Sequence, residues 1–211
     1  MGAAVPQVVT ESSASGAQVI DGSLVFDSSK SNYLNRTPSS SGNRKTWTWS
    51  GWVKRNEISN GSLFYTTQTS TPYLSVASFN ANNTLQAVRS ESGTVTELNS
   101  ESVFTDPGSW QHILISFDTT KSTESERTKL YVNGVLSPFN SSANYASLNY
   151  EAGVNRIVEH HIGIIRNTGS TFVNPFLGEL FDLFLVDGQA LTPDVFGFYK
   201  DGDGYMSSGT E

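Results

Sequence analysis

The feature that most constrains this chain is an alternating strand followed by a tight-turn signal, in residues 110–136. One parity of its first part is wholly apolar and the other is mixed, the pattern of a strand covered more fully on one face. The apolar positions are Ile113, Ile115 and Phe117, and the mixed ones are His112, Leu114 and Ser116. Asn133-Gly134 then supplies the two positive-φ residues of a type I′ turn. The stretch predicts antiparallel strands joined by a hairpin.

The same rhythm of short strand and turn runs through most of the chain. Segments such as SLVFD, KTWTWSGWVKR, SLFYTTQ, PYLSVASF and TLQAVRS follow one another with Gly, Asn or Pro between them. This spacing is typical of an antiparallel sandwich. In KTWTWSGWVKR the alternation places Trp47 and Trp49 on the core face and Trp52 on the opposite face. Gly51, in mid-strand, indicates a bulge or a close backbone approach.

The last strong element is FLGELFDLFLVDG, residues 176–188. Its nearly continuous apolar character predicts a central strand covered on both sides. The sequence TPD at 192–194 then predicts a helix start, because it offers an N-cap, a proline at the first helical position and an acid in the first turn. We expect this turn, which holds Val195 and Phe196, to plug one end of the sandwich.

Composition and charge exclude several kinds of partner. The 211 residues carry a formal net charge of −7 and no cluster of Lys or Arg, so nucleic acid should be repelled. The chain has no cysteine, which excludes disulfides and thiolate chemistry. No apolar run approaches the ~20 residues of a membrane span, and the start shows no basic or apolar signal region. We therefore expect no membrane insertion, no signal peptide and assembly in a cytoplasm.

Residues 1–22 differ from the rest of the chain because they are small and mostly polar. Such a segment has too little apolar surface to offset its own ordering entropy. We expect it to be an extended arm that docks on a neighbouring subunit. The predicted docking residues are Val5, Pro6, Val8, Val9, Val19 and Ile20.

Three motifs together resemble a known family. The Trp-x-His strand at 110–112, with Leu-Tyr-Val-Asn-Gly at 130–134, resembles the laminin-G-like branch of the concanavalin A-like lectin/glucanase superfamily. The stretches 44–54 and 176–193 resemble laminin-G-like domains of tailed-bacteriophage virion proteins. The resemblance implies an all-β fold: an antiparallel two-sheet β-sandwich (the concanavalin A-like jelly roll) with an extended N-terminal arm and one short C-terminal helical turn.

The expected domains are an anchoring arm (1–22), a laminin-G-like sandwich (23–199) and an acidic flexible tail (200–211). The resemblance implies a non-enzymatic structural or surface protein of a bacteriophage particle, such as a capsid decoration or a head or tail fibre component. Such a protein would be located in the virion, oligomeric within the assembly and in contact with other virion proteins. The alternative is a free carbohydrate-binding adhesin or lectin that takes host surface glycans, and a third reading is a glycoside hydrolase.

The enzyme reading depends on Glu179 and Asp182. Glucanases of the superfamily place their acids on one face of a strand, so that two carboxylates flank the scissile bond. Here the two acids are three residues apart, and a regular strand would send them to opposite faces. No nucleophile elbow or phosphate-cradling glycine loop occurs elsewhere. We predict that the protein is not an enzyme and has no catalytic residues.

No metal or cofactor is predicted from the residues themselves. His160 and His161 are adjacent, so in a strand they point to opposite faces and cannot hold one ion together. The resemblance implies a calcium ion at the rim, with unknown ligands. For glycans, which aromatic faces and amides would grip, the predicted contacts are Trp52, Tyr73, Tyr145 and Asn167.

Overall fold

A computed structural model describes residues 22–27, 32–66, 73–91, 96–166, 171–200 and 204–207. Strands dominate these ranges, and two single 3₁₀ turns are the helical elements among them. In chain order the elements are β1 (Leu24–Phe26), β2 (Leu34–Arg36), β3 (Thr46–Arg55), β4 (Gly61–Thr66), β5 (Tyr73–Phe79), β6 (Thr84–Glu91), β7 (Thr96–Val103), β8 (Trp110–Asp118), a 3₁₀ turn (Glu124–Glu126), β9 (Thr128–Val132), β10 (Val135–Ser137), β11 (His160–Ile162), β12 (Ile165–Arg166), β13 (Phe172–Val173), β14 (Gly178–Asp187), a second 3₁₀ turn (Pro193–Val195), β15 (Gly197–Lys200) and β16 (Gly204–Ser207).

The described strands build two six-stranded antiparallel sheets. Sheet 1 has the order β1-β14-β3-β8-β9-β10, and sheet 2 has the order β2-β11-β4-β5-β6-β7. Two small two-stranded sheets, β12-β13 and β15-β16, accompany them. The predicted all-β, two-sheet jelly-roll sandwich is confirmed.

The core is built from large rings and branched chains between the sheets, as the alternation predicts. Trp47 is fully buried and stacks on Phe117, with ring centroids 4.6 Å apart. Trp49 is buried in the same cluster, which confirms both tryptophans as core residues. Each such side chain contributes roughly 1.5–3 kcal/mol through the apolar area that it removes from water.

The predicted hairpin joins β9 to β10. Val132 pairs with Val135 across the turn, and Asn133 and Gly134 have φ angles of 48° and 76°. Both residues are therefore left-handed, as a type I′ turn requires. The Asn133 side chain also accepts a hydrogen bond from the backbone N–H of His112 at 2.8 Å, which ties the turn to β8.

The chain after β14 covers the outer face of sheet 1, and this corrects the predicted plug at one end of the sandwich. The Thr48 hydroxyl donates to the Gln189 carbonyl at 2.7 Å and accepts from the Leu191 N–H at 2.8 Å. Phe196 follows the second 3₁₀ turn and lies against His112, with ring centroids 6.4 Å apart. The turn itself begins at Pro193 as predicted, but Thr192 makes no side-chain capping bond.

The chain also continues in strand beyond the predicted end of the sandwich. β15 and β16 pair with each other from Gly197↔Ser207 to Lys200↔Gly204. Part of the segment that we expected to be a flexible tail therefore forms a hairpin. Within the described part of the chain, no helical segment has the length and apolar character that spanning a membrane requires.

β14 differs between its two halves. Gly178–Leu180 pairs with β1 on one side and β3 on the other. A β-bulge follows, at Asp182 with φ 51°. Beyond the bulge Phe184–Asp187 still pairs with β3, but no described strand pairs with its other edge, and Phe184 and Leu185 are 44% and 39% exposed. The predicted central position in a sheet is thus correct only for the first half, and cover on both faces is not found there, since Glu179 and Phe181 are only partly buried.

Candidate functional site: a side cleft between the sheets

The open half of β14 forms one wall of a cleft of about 520 Å³ between the two sheets. Sheet 2 supplies the opposite wall through β2, β4 and β11, and the chain between β2 and β3 closes one end. Trp49 and Phe64 form a buried apolar floor, and polar side chains surround the opening. The polar residues are Asn35, Arg36, Ser39, Ser40, Ser41, Asn155, His160 and Asp187.

The cleft exists because the bulge changes the direction of β14. A bulge inserts one extra residue, which bends the strand and re-aims its side chains. Leu183 is directed inwards next to Gly51, where an added Cβ would lie 2.4 Å from the Leu183 Cδ2 atom. Gly51 is therefore a point of close approach, as predicted, although the bulge itself lies in the neighbouring strand.

Asp187, at the end of β14, connects three segments at the rim of the cleft. Its Oδ1 atom accepts hydrogen bonds from the Asn43 N–H at 2.7 Å and from the Asn155 Nδ2 at 2.9 Å. The Gly42 N–H donates to the Asn155 carbonyl at 2.9 Å, and a Cβ added at Gly42 would lie 2.1 Å from Asp187 Oδ2, so a side chain there would displace the carboxylate. The carboxylate is therefore held in a fixed position. Its Oδ2 atom has no hydrogen-bond partner in the described part of the chain.

His160 holds the backbone of Asn155, the residue that bonds to Asp187. Its Nδ1 lies 2.8 Å from the Val158 carbonyl, and its Nε2 accepts from the Asn155 N–H at 3.2 Å. These bonds assign the proton to Nδ1. Burial lowers the pKa of His160, and the hydrogen bond to Val158 only partly opposes this, so the ring is neutral near pH 7. His160 positions Asn155 rather than presenting a charge to the cleft.

The cleft thus combines an apolar wall with fixed donors and acceptors. Asp187 is an anionic acceptor, the exposed Arg36 is a cationic donor, and the hydroxyls of 39–41 can act as both. Sites for small ligands have this composition: a concave apolar surface with a few polar groups that fix orientation. The volume also lies in the usual range of such sites, roughly 300–1,000 Å³.

Of the four predicted sugar contacts, the structure describes the side chains of Trp52 and Tyr145, and neither lines the cleft. Trp52 is only 3% exposed and packs on His112 at 5.3 Å between ring centroids, so its ring cannot stack on a sugar; this corrects its assignment. Tyr145 is half-buried against Phe139 and does not line the cleft. The Tyr73 side chain and Asn167 lie outside the described residues, as do the arm residues Val5, Pro6, Val8, Val9, Val19 and Ile20.

The histidines occupy opposite faces of β11, as predicted. His160 lies against Phe64 on the inner side, with ring centroids 5.7 Å apart, whereas His161 lies under Tyr33 on the outer side. No group of three or more His, Cys, Asp or Glu side chains that could hold a metal ion occurs in the described ranges.

Glu179 has the environment of a structural carboxylate. Lys54 Nζ lies 3.0 Å from Oε1, and the Ser23 hydroxyl donates to Oε2 at 2.8 Å. Burial alone would raise its pKa, but the hydrogen bonds from Lys54 and Ser23 and the charge of Lys54 outweigh burial and lower it. A general acid of a glycosidase needs a raised pKa instead. The bulge at Asp182 breaks the alternation on which the opposite-face prediction depended.

A second pair could be mistaken for a catalytic dyad. Ser50 Oγ lies 2.8 Å from His112 Nε2 on the outer face of sheet 1. Both residues are buried beneath the chain that follows β14. Burial also lowers the pKa of His112 to about 4, too low for efficient general-base work near neutral pH. This pair stabilises the covered face of the sheet.

Sequence reasoning missed the cleft residues because their roles depend on tertiary contacts. Asp187 stands near the end of the predicted strand segment 176–188, and Asn155 lies outside every predicted strand. Asn155 has φ 61°, a conformation that Asn adopts more readily than most residues. An Asn between two strands indicates a possible left-handed backbone position, but it does not identify the residue that its side chain contacts.

The two sheets define the protein as an antiparallel jelly-roll sandwich with a side cleft. The sequence profile of the laminin G family in the concanavalin A-like lectin/glucanases superfamily matches residues 27–194. The chain belongs to this family. No curated protein sequence matches the chain significantly.

Solved structures with the same fold show low sequence identity. Domains LG4-5 of the mouse laminin α1 chain are 16% identical, with a TM-score of 0.56, over 90% of this chain and 45% of that one. The CBM40 of the Ruminococcus gnavus IT-sialidase, solved with α2,3-sialyllactose, is 13% identical with a TM-score of 0.52. The match covers 78% of this chain and 96% of that one. A heptameric SAP-like pentraxin from Limulus polyphemus is 16% identical with a TM-score of 0.50. The match covers 76% of this chain and 71% of that one. At these identities the similarity shows the fold alone.

Proposed function

We propose that this domain is a non-catalytic carbohydrate-binding module and that its ligand occupies the side cleft. The observation that carries the proposal is the fixed Asp187 carboxylate in a cleft that is also lined by the exposed cation Arg36 and by an apolar wall. Each sugar hydroxyl both donates and accepts a hydrogen bond, so a saccharide needs acceptors such as Asp187 and donors such as Arg36 side by side. The C–H faces of a sugar ring suit the apolar wall at Leu183 and Leu185.

The composition of the cleft argues against hydrolysis. Glycoside hydrolases generally use two carboxyl groups, one on each side of the scissile bond. Asp187 is the only Asp or Glu among the described residues that line the cleft. Its Oδ1 atom is occupied by two hydrogen bonds that hold loops together. A binding role fits this arrangement, and the fold is one that carbohydrate-binding modules such as the CBM40 domain also use.

An isosteric substitution tests the proposal. Asp187→Asn can keep the Oδ1 bonds to Asn43 and Asn155 while replacing the negative Oδ2 by an amide, so the loops should remain in place. Binding to immobilised oligosaccharides, followed by calorimetry on the best ligand, should show an affinity about tenfold weaker, because one charge-assisted hydrogen bond is lost. Glu101→Gln, which removes the same charge from an exposed position on β7, is the matched control and should bind as the wild type does.

Two results would contradict the proposal. The first is the absence of binding to any neutral or acidic oligosaccharide on a broad panel. The second is wild-type affinity in Asp187→Asn, which would mean that the ligand binds elsewhere.

We further propose that the domain acts within a bacteriophage particle, with residues 1–22 as its anchor to other virion proteins. The support is the likeness of 44–54 and 176–193 to virion laminin-G-like domains. Limited proteolysis with mass-spectrometric mapping should cut 1–22 in the isolated protein but not in the purified particle. Cutting in both states would contradict the anchoring role of residues 1–22. Protection in the isolated protein would instead mean that the segment packs within the domain itself.

A further inference from the structure

A second aromatic surface lies on the outer side of β2, next to the cleft. The rings of Tyr33 and Phe172 have centroids 4.8 Å apart and an interplanar angle of 32°, and each residue is 38% exposed. The fully buried His161 supports them from below, at 5.6 Å from Tyr33 and 6.5 Å from Phe172 between ring centroids. The two rings, called here the outer platform, form a continuous apolar surface that is open to solvent.

A hydrogen-bonded polar cluster borders the outer platform. Glu159 accepts from Asn35 Nδ2 at 2.8 Å and from Arg166 Nη1, and it lies 3.4 Å from His161 Nε2. The Arg166 guanidinium is also 6.0 Å from the centre of the Phe172 ring. Rings beside an amide, a carboxylate and a guanidinium are what a sugar ring needs: an apolar face for its C–H groups and polar partners for its hydroxyls.

β2 connects the outer platform to the cleft. Leu34 and Arg36 line the cleft, Asn35 takes part in both places, and Tyr33 comes immediately before them. At about 3.3 Å per residue, Tyr33 and Arg36 are about 10 Å apart along the chain. β2 is an edge strand of sheet 2 as described, so a ligand that leaves the cleft over this edge reaches the platform directly.

We propose that the ligand is an oligosaccharide that crosses the edge of β2, with one sugar in the cleft and a further sugar stacked on Tyr33 and Phe172. The proposal rests on carbohydrate binding in the cleft. It adds the class of ligand: a chain of several sugar units rather than a monosaccharide. Affinity then depends on length, because the platform contributes only when the ligand is long enough to cover it.

Calorimetry with an oligosaccharide series tests this inference. The probes are linear neutral oligosaccharides of increasing length, starting from the monosaccharide, built from the unit that binds best on an immobilised panel. For the wild type we expect the affinity to rise about tenfold or more between the monosaccharide and the oligomers that reach the platform. In Tyr33→Ala and Phe172→Ala this rise should fall to about twofold or less, while monosaccharide affinity is unchanged. Tyr33→Phe, which keeps the ring, should retain the rise.

The outcomes separate the two proposals. Binding without length dependence, or a length dependence that survives in both alanine variants, overturns the platform but not the cleft. No binding to any neutral or acidic oligosaccharide on the immobilised panel overturns carbohydrate binding itself. If an alanine variant does not fold, the wild type still decides the question by NMR: the Tyr33 and Phe172 ring signals should shift with the longer oligomers and not with the monosaccharide. Unshifted ring signals at saturation with the longest oligomer would overturn the platform.

Discussion

Mild acid should destabilise the fold through His112. The residue is 1% exposed on the outer face of sheet 1, where its Nε2 lies 2.8 Å from Ser50 Oγ and its ring packs between Trp52 and Phe196. Burial lowers its pKa from 6.5 to about 4. The folded protein therefore binds this proton much less tightly than the unfolded chain does.

The sign and size of the effect follow from proton linkage. A folded-state pKa below the unfolded value gives stability that is fully present above about pH 6.5 and is lost as the pH falls towards 4. At about pH 5.5 the loss from His112 alone amounts to about 1.4 kcal/mol. Burial also lowers the pKa values of His160 and His161, so they add to the loss in the same direction.

Urea unfolding at about pH 7.5, 6.5 and 5.5 measures this loss. The comparison variant is His112→Gln, which does not titrate and can keep a hydrogen bond with Ser50. The wild type should lose about 1.4 kcal/mol more than the variant between the two extremes. Equal losses would refute the reasoning, because they would mean that His112 binds its proton as readily in the folded state as in the unfolded chain.

Two further substitutions test the packing. Gly178→Ala should destabilise the protein by about 2 kcal/mol or more, because the new Cβ would lie 2.2 Å from the backbone oxygen of Lys54 in β3. Thermal unfolding checks this against Gly22→Ala, whose added Cβ meets no atom of the described residues within 4 Å and should be nearly neutral. Arg127→Met should cost about 3 kcal/mol in urea unfolding, since three carbonyls lose a charged donor, one of them in a buried hydrogen bond; a cost below about 1 kcal/mol would contradict this account. The carbonyls that Arg127 contacts belong to Lys121, Ser122 and Ala146.

Much of the fold could be predicted from short-range patterns. The alternation in β8 and β3 identified the buried faces, so Ile113, Ile115 and Trp47 were correctly assigned to the core. The Asn-Gly turn was predictable because few residue pairs accept two successive positive φ angles. The adjacent His160 and His161 were correctly assigned to opposite faces, because successive side chains of a strand point to opposite sides of the sheet.

The burial of the outer face of sheet 1, on which Trp52 lies, could not be predicted in this way. Alternation correctly placed Trp52 opposite the core, but it says nothing about what covers that face. The cover is the chain around Phe196, more than a hundred residues later in the sequence. A residue that the sequence offered as a sugar contact is therefore buried.

The sequence by itself determined the all-β class, the core faces, the hairpin and the family resemblance, because all of these depend on residues within a few positions of one another. Only the tertiary structure decided the cleft. It forms beyond the bulge at Asp182, where β14 no longer pairs with β1 and Asp187 holds the loop at Asn43. These features become neighbours only through pairing between distant strands, so no local pattern specifies the Asp187–Asn155 contact or the platform across β2.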